Sequence, residues 1–268
     1  MPALSVVEDF IAAAESTASM ADLNALAADA VRALGFDFFG IVHHVRFGVP
    51  DQGHVHLYLY PEEWIAEIRD MGRPPDPVFR AAEQTACGFR WDRLNRIISP
   101  TPRERRHLEQ AARHGVGNGF TVPNHVPGEA PGSSNFGCRS DRELPERNLA
   151  AAQALGNFAF EAARRLNRAG HPSWIPPVAL SERQRDCLLL AAQGKSDGVI
   201  AQLLGLKPRT VNEHMEAAKR RYGVATRAQL VVQALLRSEI TFGEALGAPP
   251  VITGMAPAPA PPHSSTRS

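Results

Sequence analysis

Tyr60, Trp64, Asp76, Trp91 and Gly119 form the cluster of the N-terminal half best suited to hold a small polar molecule. Tyr60 and Trp64 stand four apart in Tyr60-Pro-Glu-Glu-Trp64, across a strand end and the first turn of a helix, so their rings can line one wall. Each ring ends in a polar handle, a hydroxyl or an indole N–H, that needs a partner when buried. Ionised Asp76 offers only acceptors, and leaving it unpaired in a pocket costs roughly 1–3 kcal/mol or more. A ligand with carbonyl oxygens and an amide N–H satisfies all three groups. His43, His44, His54 and His56 are a second cluster, with His54 and His56 on one strand face as metal ligands would be. No carboxylate or cysteine flanks them closely, so they read as surface or packing residues, and no metal site is expected. The marks of catalysis are absent from the sequence: no Gly-rich phosphate loop, no HExxH, no G-x-S-x-G elbow. The expectation is a protein without enzymatic activity or cofactor.

A third set of residues fits nucleic acid. Arg209, Thr210, Asn212, Glu213, Lys219 and Arg220 occupy one face of a helix that opens at Pro208 and runs to about Tyr222, while Val211, Met215 and Ala218 form its buried face. Arg209, Asn212 and Glu213 suit base edges; Lys207, Lys219 and Arg220 suit phosphates. Upstream, Ser181 and Gln184 make a capping box that starts a helix at Glu182, with Cys187, Leu188 and Ala191 inward and Gly194 as its stop. Ser196 caps a second helix carrying Val199, Ile200, Leu203 and Leu204, and Gly205-Leu206 is a turn. A short helix, a tight turn and a polar, basic helix is the helix-turn-helix plan. From Val178 to Arg237 there are ten Lys/Arg and five Asp/Glu, a net +5; the whole chain is +1, so the remainder carries −4. A basic module on a mildly acidic body is the electrostatic footprint of a DNA reader.

The 268 residues allow one substantial domain and a small one. No apolar run approaches a membrane span, and Glu8, Asp9 and Glu15 argue against a signal peptide. Three cysteines without CxxC spacing support neither disulfides nor a zinc knuckle, so a cytoplasmic chain, nucleoid-associated when on DNA, is expected. Residues 5–18 and 21–34 read as amphipathic helices, the second closed by Gly35. Phe38–Phe47 and His54–Tyr60 read as a hairpin, Glu62–Arg69 and Asp76–Ala86 as helices, and Thr101–Glu104 as a capping box starting a helix to His114. Phe120–Val126 and Ser133–Arg139 return to strand before a long helix, Leu144–Arg168. These elements predict an α+β chain: an α/β/α sandwich over 1–168, a Pro-rich linker over 169–179, an all-α helix-turn-helix domain over 180–240, and a disordered Pro/Ala/Ser-rich tail over 241–268.

The run Leu180-Ser-x-Arg183, Leu188, Gly194-Lys-Ser, Ile200-Ala, Leu204-Gly-Leu, Arg209-Thr-Val211, His214 and Tyr222-Gly-Val224 resembles the C-terminal domain of LuxR-type transcription regulators. Gln184 and Val199 stand where that family commonly has acidic residues, and Lys207 where it has a Ser before the recognition helix. The spacing of Tyr60, Trp64, Asp76, Trp91 and Gly119 resembles the autoinducer-binding domain of the same family. The resemblance implies a quorum-sensing regulator in which Tyr60 donates to the acyl carbonyl and Trp64 to the lactone carbonyl of an N-acyl-homoserine lactone. Asp76 would then accept from its amide N–H, Trp91 would pack near the lactone ring, and Gly119 would permit close backbone approach. Family members commonly carry Tyr where Ile68 stands, and the Ile68–Asp76 segment is about one residue short, so the acyl end of the pocket is altered. The resemblance further implies a homodimer on a two-fold symmetric site, through the Leu144–Arg168 helix and apolar residues of a fourth DNA-domain helix, Thr226–Ser238, with RNA polymerase as a possible partner. An aryl, branched-acyl or non-lactone signal is the alternative. An enzyme whose basic C-terminal bundle mediates assembly is a more distant one.

Overall fold

The computed structural model describes residues 2–45, 54–72, 74–126, 129–170 and 179–247. Two units emerge, Met1–Pro176 and Pro177–Ser268, each with its own core. The frame of the first is a five-stranded antiparallel sheet: β1 (Phe38–His43), β2 (His56–Leu59), β3 (Phe89–Arg90), β4 (Val116–Asn124) and β5 (Gly132–Arg139), in the order β2-β1-β5-β4-β3. Side chains alternate between its faces with period two. Phe39, Ile41, Leu57, Phe120, Val122, Phe136 and Cys138 are buried in one core with α1 (Ala3–Ser16), α2 (Met20–Ala33) and α6 (Leu149–Gly170). The alternate residues, among them Gly40, Val42, His56, Tyr58 and Asn135, line a cavity on the other face. That face is roofed by α3 (Glu62–Met71), α4 (Pro77–Ala82) and α5 (Pro102–Arg113), giving the expected α/β/α layering.

Capping chemistry sets the roof. Asp76 accepts from the Val78 N–H at 2.8 Å and Pro77 takes the first position of α4. Thr101 and Glu104 form the capping box of α5. Glu104 also accepts two hydrogen bonds from Arg80, at 2.7 and 2.8 Å, which ties α4 to α5. Several elements differ from expectation. The α4 helix ends at Ala82 rather than Ala86. Strand β4 begins at Val116 rather than Phe120, because a register irregularity between Val116 and Gly119 lets the Gly117-Asn118-Gly119 segment stay in the sheet. The long helix proper starts at Leu149, after a 3₁₀ turn over Glu146–Asn148, and ends at Gly170. The turn of the first hairpin and the linker residues 171–178 lie outside the described residues.

The second unit contains α7 (Glu182–Ala192), α8 (Asp197–Leu204), α9 (Pro208–Tyr222), α10 (Arg227–Leu236) and α11 (Phe242–Ala245). Ser181/Gln184 and Thr226/Gln229 are complete capping boxes, and Ser196 caps α8. Gly194, Gly205 and Gly223 all have φ between 65° and 80°, the left-handed region that ends a helix cheaply only for glycine. The boundary drawn at 240 is corrected. Thr241 and Glu244 cap a short helix, Glu244 pairs with Arg185 at 2.7 Å, and its carbonyl accepts from Gln193. Ile240 is buried, so the domain continues through Gly247, and only residues 248–268 of the expected tail lie outside the described residues. Among the described residues no helix is long and apolar enough to cross a membrane.

Candidate ligand and nucleic-acid sites

Between the sheet and its roof lies a cavity of about 330 Å³, of the size that holds a small organic molecule. Tyr60, Trp64, Ile68, Asp76 and Trp91 all line it. Tyr60 follows the last residue of β2 and Trp64 sits in the first turn of α3, so the strand-to-helix corner sets the rings side by side. Phe38 stacks on Tyr60 with ring centroids 5.8 Å apart. Trp64 is flanked by the imidazoles of His107, at 5.0 Å, and His114, at 5.5 Å. Among the described residues, neither the Tyr60 hydroxyl nor the Trp64 indole N–H has a hydrogen-bond partner. Burial, and then the charge of Asp76, push the Tyr60 phenol above its ordinary range, so it stays a neutral donor. Burial also raises the Asp76 carboxyl, opposed by His107 and by the backbone N–H groups of Val78 and Phe79.

Gly119 does not line the cavity. A Cβ there would lie 2.7 Å from the Trp91 indole and 2.6 Å from the Phe136 carbonyl oxygen, so the group its missing side chain admits is Trp91. The Trp91 N–H donates to Thr121 Oγ1 at 2.8 Å, and Thr121 donates to Asn135 Oδ1 at 2.8 Å. Asn135 in turn donates to the Gly40 carbonyl and to Ser133, which His44 meets at 2.9 Å. This buried polar row runs along β4 and β5 beneath the cavity, and sequence reading missed it. His107 was missed as well. Its signal is spacing, since Glu104, His107 and Ala111 form the buried face of α5.

Away from Asp76, the cavity runs beside α4, six residues and so about 9 Å long, toward Glu83. There His44 stacks on Phe79 at 4.2 Å and lies 3.4 Å from Glu83. His43 packs on Phe160, accepts from the Val55 N–H and faces Glu129 at 3.4 Å. Among the described residues no group of three His, Cys, Asp or Glu is placed to hold a metal ion.

In the second unit, Val211, Met215, Ala218 and Tyr222 anchor α9 in the core. Lys207, Arg209, Asn212, Glu213 and Arg220 are exposed and Thr210 is half-buried. Arg209 reaches Glu213 one turn on, at 3.1 Å, with its side chain 90% exposed. Lys219 differs: it bonds Glu216 at 2.7 Å and the Ala225 carbonyl at 3.2 Å, and so folds back on its own domain.

A roofed cavity with unsatisfied polar handles, joined in one chain to a helix-turn-helix, defines a ligand-binding transcription regulator. Residues 19–163 match the autoinducer binding domain and residues 178–234 match the bacterial regulatory proteins of the luxR family. The chain belongs to the LuxR family of autoinducer-binding transcription regulators, and it is not an enzyme. Among its relatives is the transcriptional activator protein AhyR of Aeromonas hydrophila, 27% identical over 75% of this chain and 78% of AhyR. Another is the transcriptional activator protein BjaR1 of Bradyrhizobium diazoefficiens, 28% identical over 77% of this chain and 87% of BjaR1. The match to the HTH-type regulator y4qH of Sinorhizobium fredii, at 28% identity, spans only 54% of that protein. A crystal structure of Escherichia coli SdiA shares the fold with a TM-score of 0.61 at 22% identity, covering 88% of this chain and 98% of SdiA.

Proposed function

We propose that the cavity of the first unit binds an N-acyl-homoserine lactone and that binding controls a dimer on a two-fold symmetric promoter site. The observation that carries this reading is the pair of unpartnered donors, Tyr60 Oη–H and Trp64 Nε1–H, that line the same cavity as the Asp76 carboxylate. Tyr60 donates to the acyl carbonyl, Trp64 to the lactone carbonyl, and Asp76 accepts the amide N–H; Trp91 covers the lactone ring and Ile68 borders the acyl group. Gly119 acts through Trp91. A ligand that binds only the folded state stabilises it by about 4 kcal/mol at a thousandfold excess over Kd. Arg209, Thr210, Asn212 and Glu213 read base edges, and Lys207 and Arg220 hold phosphates. Val232 and Leu236, exposed one turn apart on α10, and the long α6, with Phe158 exposed, supply apolar surface for self-association. RNA polymerase is a further partner consistent with this reading.

The acyl group has a second reading. The Phe79–His44 stack, with Tyr58 on the same cavity, favours an aryl or branched acyl group over a long straight chain. The test is the thermal midpoint of the full chain against lactones with short, long, branched and aryl acyl groups. One member should raise the midpoint in a dose-dependent way, and Asp76→Asn should lower the affinity for it roughly tenfold or more. An unchanged dose response in Asp76→Asn sinks the head-group assignment.

A further inference from the structure

His107 projects from α5 toward the head of the cavity with its side chain 3% exposed. Its ring is braced against Trp64, which also packs on His114, itself held by Glu67 at 2.7 Å. Among the described residues neither imidazole nitrogen has a hydrogen-bond partner. Nδ1 is buried without a partner, and Nε2 stands 3.9 Å from Asp76 Oδ2, too far for a bond. Glu104, the other carboxylate near Asp76, is taken up by Arg80 and Thr101. A carboxylate beside Nε2 favours the tautomer that carries its proton there. The cavity head therefore presents one donor and one acceptor 3.9 Å apart.

One atom can satisfy both. An oxygen about 2.8 Å from each would see them at roughly a right angle, within hydrogen-bonding range. A lactone or ester oxygen only accepts, and an amide N–H only donates; a hydroxyl does both. We propose that His107 and Asp76 form a hydroxyl subsite at the head of the cavity, so that the pocket also takes ligands whose head group carries a free hydroxyl. The proposal rests on the cavity being the ligand pocket but departs from a closed lactone as its preferred occupant.

Calorimetry on the full chain tests it with two probes, N-octanoyl-homoserine lactone and the ring-opened diol obtained by reducing that lactone. The wild type should bind the diol roughly tenfold more tightly, because the lactone leaves His107 unpaired. His107→Phe keeps an aromatic ring against Trp64 and should abolish the preference. His107→Gln keeps a donor and should retain part of it, and it serves in place of the Phe variant should that fail to fold. Equal affinities in the wild type, or a preference that survives His107→Phe, overturn the subsite and leave the pocket standing. If neither probe binds, the subsite falls, while the ligand-pocket reading stands or falls separately with the panel of acyl groups.

Discussion

Trp91 is positioned less by what touches its face than by what is missing behind it. A methyl group at Gly119 would meet the Trp91 ring at 2.7 Å and the Phe136 carbonyl oxygen at 2.6 Å, and the carbonyl belongs to β5, the central strand of the sheet. The ring can swing away only by breaking its bond to Thr121, and the strand cannot move without disturbing the β4–β5 register. Gly119→Ala should therefore cost about 1–3 kcal/mol. Thermal denaturation measures the loss, and near-ultraviolet circular dichroism should show a displaced indole. Residues with such roles are hard to read from sequence. Tyr60, Trp64 and Asp76 stand out by type and spacing, and the structure brings all three to one cavity. His107 does not stand out, because a single His in an Arg- and Glu-rich helix looks solvated until the helix phase places it beside Ala111 on the buried face.

Among the elements, the longer ones with local chemical punctuation were legible, and the very short ones held by distant partners were not. Capping boxes at Thr101, Ser181 and Thr226 and the proline at the start of α9 depend on residues within one turn, so sequence placed those helix starts closely. The two-residue β3 exists only because β4 offers it Phe120 and Thr121, and the one-turn α11, though capped locally by Thr241 and Glu244, is held to its domain by Arg185 and Gln193 of α7. Neither partner is near in sequence. The α4–α5 tie, however, can be tested through pH. Hydrogen bonds from Arg80 first, and then from Thr101, pull the Glu104 carboxyl down from 4.5 to about 2, against the opposing effect of burial. A folded-state value below the unfolded one gives stability that is present above about pH 4.5 and is lost as pH falls toward 2. Glu104→Gln should lower the melting temperature at neutral pH, and the gap from wild type should narrow across that interval. A gap that stays constant from pH 6 to pH 2, measured by calorimetric scans in matched buffers, would show that the carboxylate charge does not hold the roof.

On the scale of the whole molecule, charge separates the two units as clearly as packing does. The segment from Val178 to Arg237 carries a net +5 within a chain of +1, Glu239 and Glu244 leave the domain through Gly247 at +3, and only cations that face solvent can release counterions from DNA. Lys207 and Arg220 are exposed, whereas Lys219 is held by Glu216 and the Ala225 carbonyl. Each phosphate contact contributes a slope of about −0.9 to log K against log salt on duplex DNA. Arg220→Ala should therefore make that slope shallower by about one unit per binding helix, with affinity falling on specific and nonspecific sequences alike. Lys219→Ala should leave the slope nearly unchanged while loosening the α9–α10 corner. Arg209→Ala should act differently from both, weakening the specific site by roughly 1–3 kcal/mol through lost base contacts. Fluorescence anisotropy with labelled operator and random duplexes between 50 and 200 mM salt, roughly the range over which multi-phosphate binders lose most of their affinity, separates the three variants. A Lys219→Ala slope as shallow as that of Arg220→Ala would mean that Lys219 leaves Glu216 when DNA binds. The phosphate track along α9 would then be one residue longer than its resting geometry indicates.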